Sequence, residues 1–393
     1  MIALFAVVVV LTQLIAPSLQ DIQSGVQAVT TFSNNLVPKL FQALAPGREN
    51  LVFAPFGLAT NVAMMLEAAD SNTAREILTA FNIAADGREE LRIGFKAYFD
   101  TFEHAASTTV DEAAGAFNMA MMRTNGLLSP AYKSLLAKYY RVNITEVASF
   151  DNFTGVQPAG QVLELRSDSG VMSHWKDYQR LGVFTFLSHQ AAAAFHRTPT
   201  QSVTVPMIPQ VGVFRSGRVD HLNCQAIELL LEVGSVNLLL LVPDSSDAMD
   251  ELLVKLSGVS FHHLVHWLTF AETEVSLPQL TVLSSGLDLA PFLRQLGVRS
   301  VFNASAADLS QAVDKTPQAV PLYVKSVTQD AYFSTSFVAV NSVGSVSSNF
   351  VSKRPKREAA SLIVDRPFLF FLLHRDTQLV LLAGKVQNPT QVP

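Results

Sequence analysis

Between residue 26 and about residue 140, apolar residues recur at spacings of three and four in Leu58–Ala69, Thr73–Phe81 and Ser129–Tyr140. That period predicts helices burying one face. The last gives way to a strand-like stretch, Val142–Phe150. From Ser202 onward the texture changes to short Val- and Leu-rich runs: Val203–Ile208, Ala226–Glu232, Val236–Val242, Glu274–Leu277 and Gln378–Val386. These read as strands. Leu238–Val242 has no polar interruption, which predicts a strand buried on both faces and closed by Pro243. Helices first and strands later, with no flexible linker between, predict one α+β domain.

One segment breaks the pattern. After Phe337, and up to Arg366, large core residues are scarce; the stretch holds Ser342–Ser348 and the basic run Lys353-Arg354-Pro355-Lys356-Arg357. A loop this long inside a compact domain is usually functional or disordered. Beyond it, Pro367–Leu373 reads as a buried strand.

Composition narrows the classes. The chain of 393 residues carries 28 Lys plus Arg against 33 Asp plus Glu, with no basic block able to track a nucleic-acid backbone, so nucleic acid is excluded as a partner. The apolar run Ile2–Leu11 is too short to span a bilayer, and Ala16-Pro17-Ser18 offers small residues for cleavage. Residues 1–18 are therefore expected to be a signal peptide, leaving 19–393 as one soluble domain off the membrane; no Lys or Arg precedes the run, which leaves an uncleaved anchor as the alternative. Sequons at Asn143, Asn152 and Asn303 add to the expectation of a secreted, extracellular glycoprotein. The single cysteine, Cys224, excludes an internal disulfide and sits in an apolar run that suits a buried thiol. His262 and His266 stand one helical turn apart with no third metal ligand in view, and His196 and His374 read as structural. No nucleophile elbow, paired-cysteine, zinc-protease or phosphate-loop motif is present, so the chain is not expected to be an enzyme.

The long loop, the Pro-Phe-Leu-Phe strand at 367–370 and the terminal Gly384-Lys385-Val386-Gln387-Asn388-Pro389 together resemble the C-terminus of the serpin family. The likeness extends upstream through Asn50–Phe56, Glu67–Thr73, Val205–Ile208, Val275–Leu280, Leu296–Val298 and Ala307–Ser310, in family order. It implies a fold of three β-sheets with about eight or nine helices and an exposed reactive-centre loop at about 337–362. It also implies a monomer without cofactor that offers the loop to a serine protease as bait, then inserts it as a new strand in the large sheet.

By that resemblance Arg357–Glu358 is the expected reactive bond, 10 residues before Pro367. Arg354 and Lys356 would add recognition by a trypsin-like or furin-type protease. A gapless alignment from Leu322 gives Lys353 as the alternative bond. It also sets Ala339 and Val340 at the hinge, whereas fixing the hinge glycine at Gly344 sets Gly344 and Ser345 there. Neither version has the family's acidic, threonine- and alanine-rich hinge. The family's hydrogen-bonded cluster beneath the sheet corresponds to Ala54, Gly57, Ser167 and Gln329, which predicts a latch largely lost. From Phe150 to Trp175 there are 25 residues, far fewer than the family uses for the helix crossing the front of the large sheet, which predicts that this helix is missing. These departures keep a second expectation open: a non-inhibitory serpin that is a binding or carrier protein, or a substrate processed by a convertase.

Overall fold

Helix α3, Pro55–Ala68, is apolar apart from Thr60, Asn61 and Glu67, and every one of its 14 residues is buried. A helix of that composition belongs in the middle of a fold, not on its surface. Pro55 at its start supplies a fixed φ where no amide donor is needed. The computed structural model describes residues 17–108, 115–147, 161–172, 192–231, 236–314, 321–334 and 360–391. Among these, α1 (Leu19–Asn34), α2 (Leu36–Leu44), α4 (Ser71–Ala80), α5 (Arg88–Thr108) and α6 (Pro130–Tyr140) accompany α3. Three short helices, α7 (Met249–Lys255), α8 (Phe261–Trp267) and α9 (Ala290–Gln295), follow later. α1 opens on a capping box in which Ser18 and Asp21 bond reciprocally.

Two hydrogen-bonded sheets flank the core. The five-stranded sheet runs β10-β11-β4-β2-β3, formed by Thr281–Asp288, Leu322–Ser334, Gln161–Met172, Gly115–Thr124 and Asn143–Glu146. The nine-stranded sheet runs β1-β14-β13-β8-β7-β6-β9-β12 with β5 paired to β6. Its strands are Leu51–Phe53, Val380–Val386, Phe368–His374, Val236–Pro243, Cys224–Leu230, Gln201–Val219, Thr269–Pro278, Ala360–Ile363 and Ala192–Thr198. The 19-residue β6 joins two parts of it, pairing β5 and β9 along its length and β7 at its end. Through this one long strand the second and third sheets of the expected architecture become continuous.

The anticipated helices and most strands are found within a few residues of their predicted bounds, but Val203–Ile208 and Glu274–Leu277 prove to be parts of the longer β6 and β9. β8 and β13 are buried at every position, as their uninterrupted apolar runs require. The mostly helical reading up to residue 140 needs correction: β2 lies inside it. Gly115–Thr124 carries Met at 119, 121 and 122, so hydropathy does not alternate along the sequence, although burial does from Met119 to Thr124. β4, β10 and β11 were also not legible as strands, because charged and polar residues interrupt them on the solvent side.

Cys224 is fully buried and burial pushes its thiol up to about 12, consistent with an inert structural role. His374 is buried too: its Nδ1 lies 3.0 Å from Thr377 Oγ1 and its ring meets the edges of Tyr98 and Phe102. His262 and His266 are exposed with ring centroids 4.4 Å apart, and no group of three or more metal-ligating residues occurs among the described residues. His196 is exposed on β5. No described helix is long and apolar enough to cross a membrane.

Candidate functional site

The place where a loop strand would enter the five-stranded sheet is the seam between β4 and β11. The two strands are parallel neighbours, paired from Leu322 with Gln161 to Ser334 with Met172. The segment 335–359 leaves the end of β11 beside this seam and rejoins the described chain at β12. Chain turning back at Ser334 would therefore run antiparallel to both seam strands without crossing either. Arg357, Glu358, Lys353, Arg354, Lys356 and the hinge positions Ala339, Val340, Gly344 and Ser345 all lie outside the described residues, as do Asn152 and Trp175. Asn143, on the edge strand β3, and Asn303 are both exposed.

Beneath the sheet the expected loss of the polar latch is overturned. Gln329 of β11 is fully buried. Its Oε1 accepts from the Ala54 backbone N–H at 2.7 Å, and its Nε2 donates to the Ala54 carbonyl at 2.9 Å and to Ser167 Oγ of β4 at 3.0 Å. A carboxamide offers donors and an acceptor together, so one side chain satisfies both backbone groups of Ala54 at the start of α3 and still ties β11 to β4. Ala54 takes part in the latch through its backbone, with no side-chain polar group.

The front of the seam is a charged surface. Lys325 Nζ of β11 donates to Glu164 Oε1 of β4 at 2.9 Å, and Arg123 of β2 reaches Glu164 from the other side at 3.7 Å. Further along, Arg166 of β4 donates to Asp168 at 2.8 Å and to Asp330 of β11. Asp330 also accepts from Ser285 Oγ at 2.9 Å and the Gly286 N–H of β10. Burial pushes the Asp330 carboxyl up, but the Gly286 and Ser285 bonds and the Arg166 guanidinium outweigh it and hold it below the usual carboxylate range.

A β-bulge makes this arrangement possible. Lys325 and Asp330 are an odd number of residues apart, so in a regular strand they would point to opposite faces. The register shifts between Val324 and Ser326, and the extra residue returns Asp330 to the side of Lys325 while Val327, Gln329 and Ala331 turn inward. None of these charged residues was singled out from the sequence. The available signal was Glu164-Leu165-Arg166-Ser167-Asp168, alternating charge with residues that prove buried.

The same face bears on the expectation that the crossing helix is missing. Residues 148–160 lie outside the described residues, but the strands that bound them do not. Glu146 and Leu163 both sit beside Thr124, on opposite sides of β2, so the two strand ends are at one end of the sheet and about 10 Å apart. The connection needs no helix across the front. A concavity with a cavity volume of about 760 Å³ lies between α2, α7 and β14, lined by Phe41, Met249 and Leu253 with Arg197 and Lys385.

Known proteins share this architecture. The family model described as Serpin (serine protease inhibitor) matches residues 27–155 and 185–389. Serpin B8 of Bos taurus is 24% identical, over 92% of this chain and 99% of its own length. Leukocyte elastase inhibitor A of Mus musculus is 25% identical, over 92% and 98%. Among solved structures, the thermophilic serpin tengpin in its native state superposes with a TM-score of 0.76 at 16% identity, covering 95% of each chain. Human thyroxine-binding globulin complexed with its hormone gives 0.75 at 16% identity, covering 93% of this chain and 100% of that one. With the family model matching most of the chain and the seam built as described, the protein belongs to the serpin family.

Proposed function

We propose that the chain is an inhibitory serpin that traps a trypsin-like or furin-type serine protease, with Arg357–Glu358 as the reactive bond and Arg354 and Lys356 as recognition residues. The observation that carries the reading is topological. A closed parallel seam stands beside the point where 335–359 departs, and that segment is longer than the 13 residues of β11. The inserting stretch would be Ser342–Ser348, where nothing is larger than Val343 and Val346, which avoids the overpacking that Phe337 would cause. An Arg before the scissile bond matches an acidic specificity pocket. The exposed Asn143 and Asn303 support a secreted glycoprotein.

A second reading, a non-inhibitory binding or carrier serpin, draws on the 760 Å³ cavity beside Lys385 and Arg197. Incubation with trypsin or furin separates the two. An inhibitor gives a complex that survives boiling in detergent and disappears in Arg357→Ala. Clean cleavage after Arg357 with no complex removes the inhibitory reading and leaves the carrier or processed-substrate reading.

A further inference from the structure

In this chain the strands that must part to admit a loop are tied together from both sides. On the inner side Gln329 bridges Ser167 and Ala54. On the solvent side the Glu164–Lys325 and Arg166–Asp330 pairs each join β4 to β11, backed by Arg123, Asp168, Ser285 and Gly286. We propose that these two cross-seam ion pairs act as a salt-sensitive clasp on the front of the sheet, setting how readily β4 and β11 separate. The inference rests on the inhibitory reading for its purpose, but not for its physics.

Arg166 and Lys325 are solvent-exposed, so each pair is individually modest and mobile ions screen it. Their placement matters more than their number. Other exposed pairs, such as Lys96–Asp100 within α5, stay intact when the sheet opens, whereas both clasp pairs must break for a strand to pass. A clasp of exposed pairs gives a barrier that ions can lower, while the buried Gln329 bonds persist at any ionic strength. Arg166 is raised above its ordinary value, first by its bond to Asp168 and then by Asp330, so it stays charged throughout the working range.

Hydrogen–deuterium exchange on the intact chain reads the seam directly, because amides paired between β4 and β11 exchange when it opens. Raising NaCl from about 50 to 500 mM shortens the screening length several-fold. The expected result is about tenfold faster exchange at residues 161–172 and 322–334, the order given by two surface pairs, with β13 and β14 unchanged. The double variant Arg166→Gln/Lys325→Gln should reach the high-salt rate at low salt and lose the salt dependence. Salt-independent exchange in the parent chain, or a double variant that exchanges like the parent, overturns the clasp. The salt comparison needs no variant, so a substitution that impairs folding leaves the test intact. A missing covalent complex with trypsin counts against inhibition alone, since the exchange rates are read without any protease.

Discussion

The β13–β14 hairpin and the β4–β11 seam lie against one another and are held by opposite means. Every residue of Phe368–His374 and Val380–Val386 is buried, and the strands are locked by apolar contact on both faces. The seam has one buried face, one hydrogen-bonded bridge at Gln329 and a solvent side made of charge pairs. The two regions touch where Phe370 of β13 stacks on Phe333 of β11 at 4.2 Å between ring centroids. Burial of this kind stabilises by several kcal/mol per large side chain, whereas exposed pairs contribute less than about 1 kcal/mol each. The hairpin is therefore a fixed wall, and the seam is a joint whose closure rests on small, separable terms.

The largest expected effect breaks the wall. Phe370→Ala should cost about 3–5 kcal/mol, because it removes a fully buried ring that fills the space over Gly384 and stacks on Phe333. Urea unfolding monitored by circular dichroism checks it. Gly384 belongs to the same packing: a Cβ there would collide with the Phe370 ring and the Leu51 carbonyl, which is why no larger residue fits. A cost under 1 kcal/mol for Phe370→Ala would show that the hairpin tolerates cavities as the seam tolerates opening, and the contrast would fail.

The middle effect falls on the joint. Gln329→Leu leaves the Ala54 N–H and C=O buried without their side-chain partner and removes the tie to Ser167. A loss of about 1–3 kcal/mol is expected in the same unfolding measurement, with faster seam exchange that persists in high salt. That persistence distinguishes the buried bridge from the charged clasp.

How much of this was readable in sequence follows from the same contrast. The hairpin announced itself, since a strand buried on both faces shows as an unbroken apolar run, and Pro367–Leu373 with Gly384–Pro389 gave the family. The seam was nearly silent. Lys325 and Asp330 share a face only because of a bulge near residue 325, whose one mark in the sequence is a single-residue slip of the apolar positions, from Leu322 and Val324 to Val327, Ala331 and Phe333. The Gln329 bridge was misjudged because its partner is the backbone of Ala54, and a list of side chains cannot show a backbone acceptor. The charge alternation at Glu164, Arg166 and Asp168 was visible, but it marks a clasp only once β4 is known to lie beside β11.

The smallest effect separates the two regions by pH. His374, at the end of β13, is held below the ordinary imidazole value: burial lowers it, Asp376 pulls the other way, and Arg375 lowers it further. The unfolded chain then takes up this proton first as pH falls through about 6.5, so it binds more protons than the folded state and stability drops. Asp330 works in a lower window. Its depressed value keeps the folded carboxylate charged while the unfolded one titrates near pH 4, so its contribution holds above that pH and is lost as pH falls through the folded value. Between pH 7 and 5, then, the acid sensitivity contributed by these two groups belongs to the hairpin, and below about 4 the seam joins it. Urea midpoints of the parent chain should decline from pH 7 to 5, and His374→Gln should flatten that part of the curve while leaving the fall below pH 4. A His374→Gln curve parallel to the parent's from pH 7 to 5 would remove the hairpin from the acid response and leave the charged joint as the first region to yield.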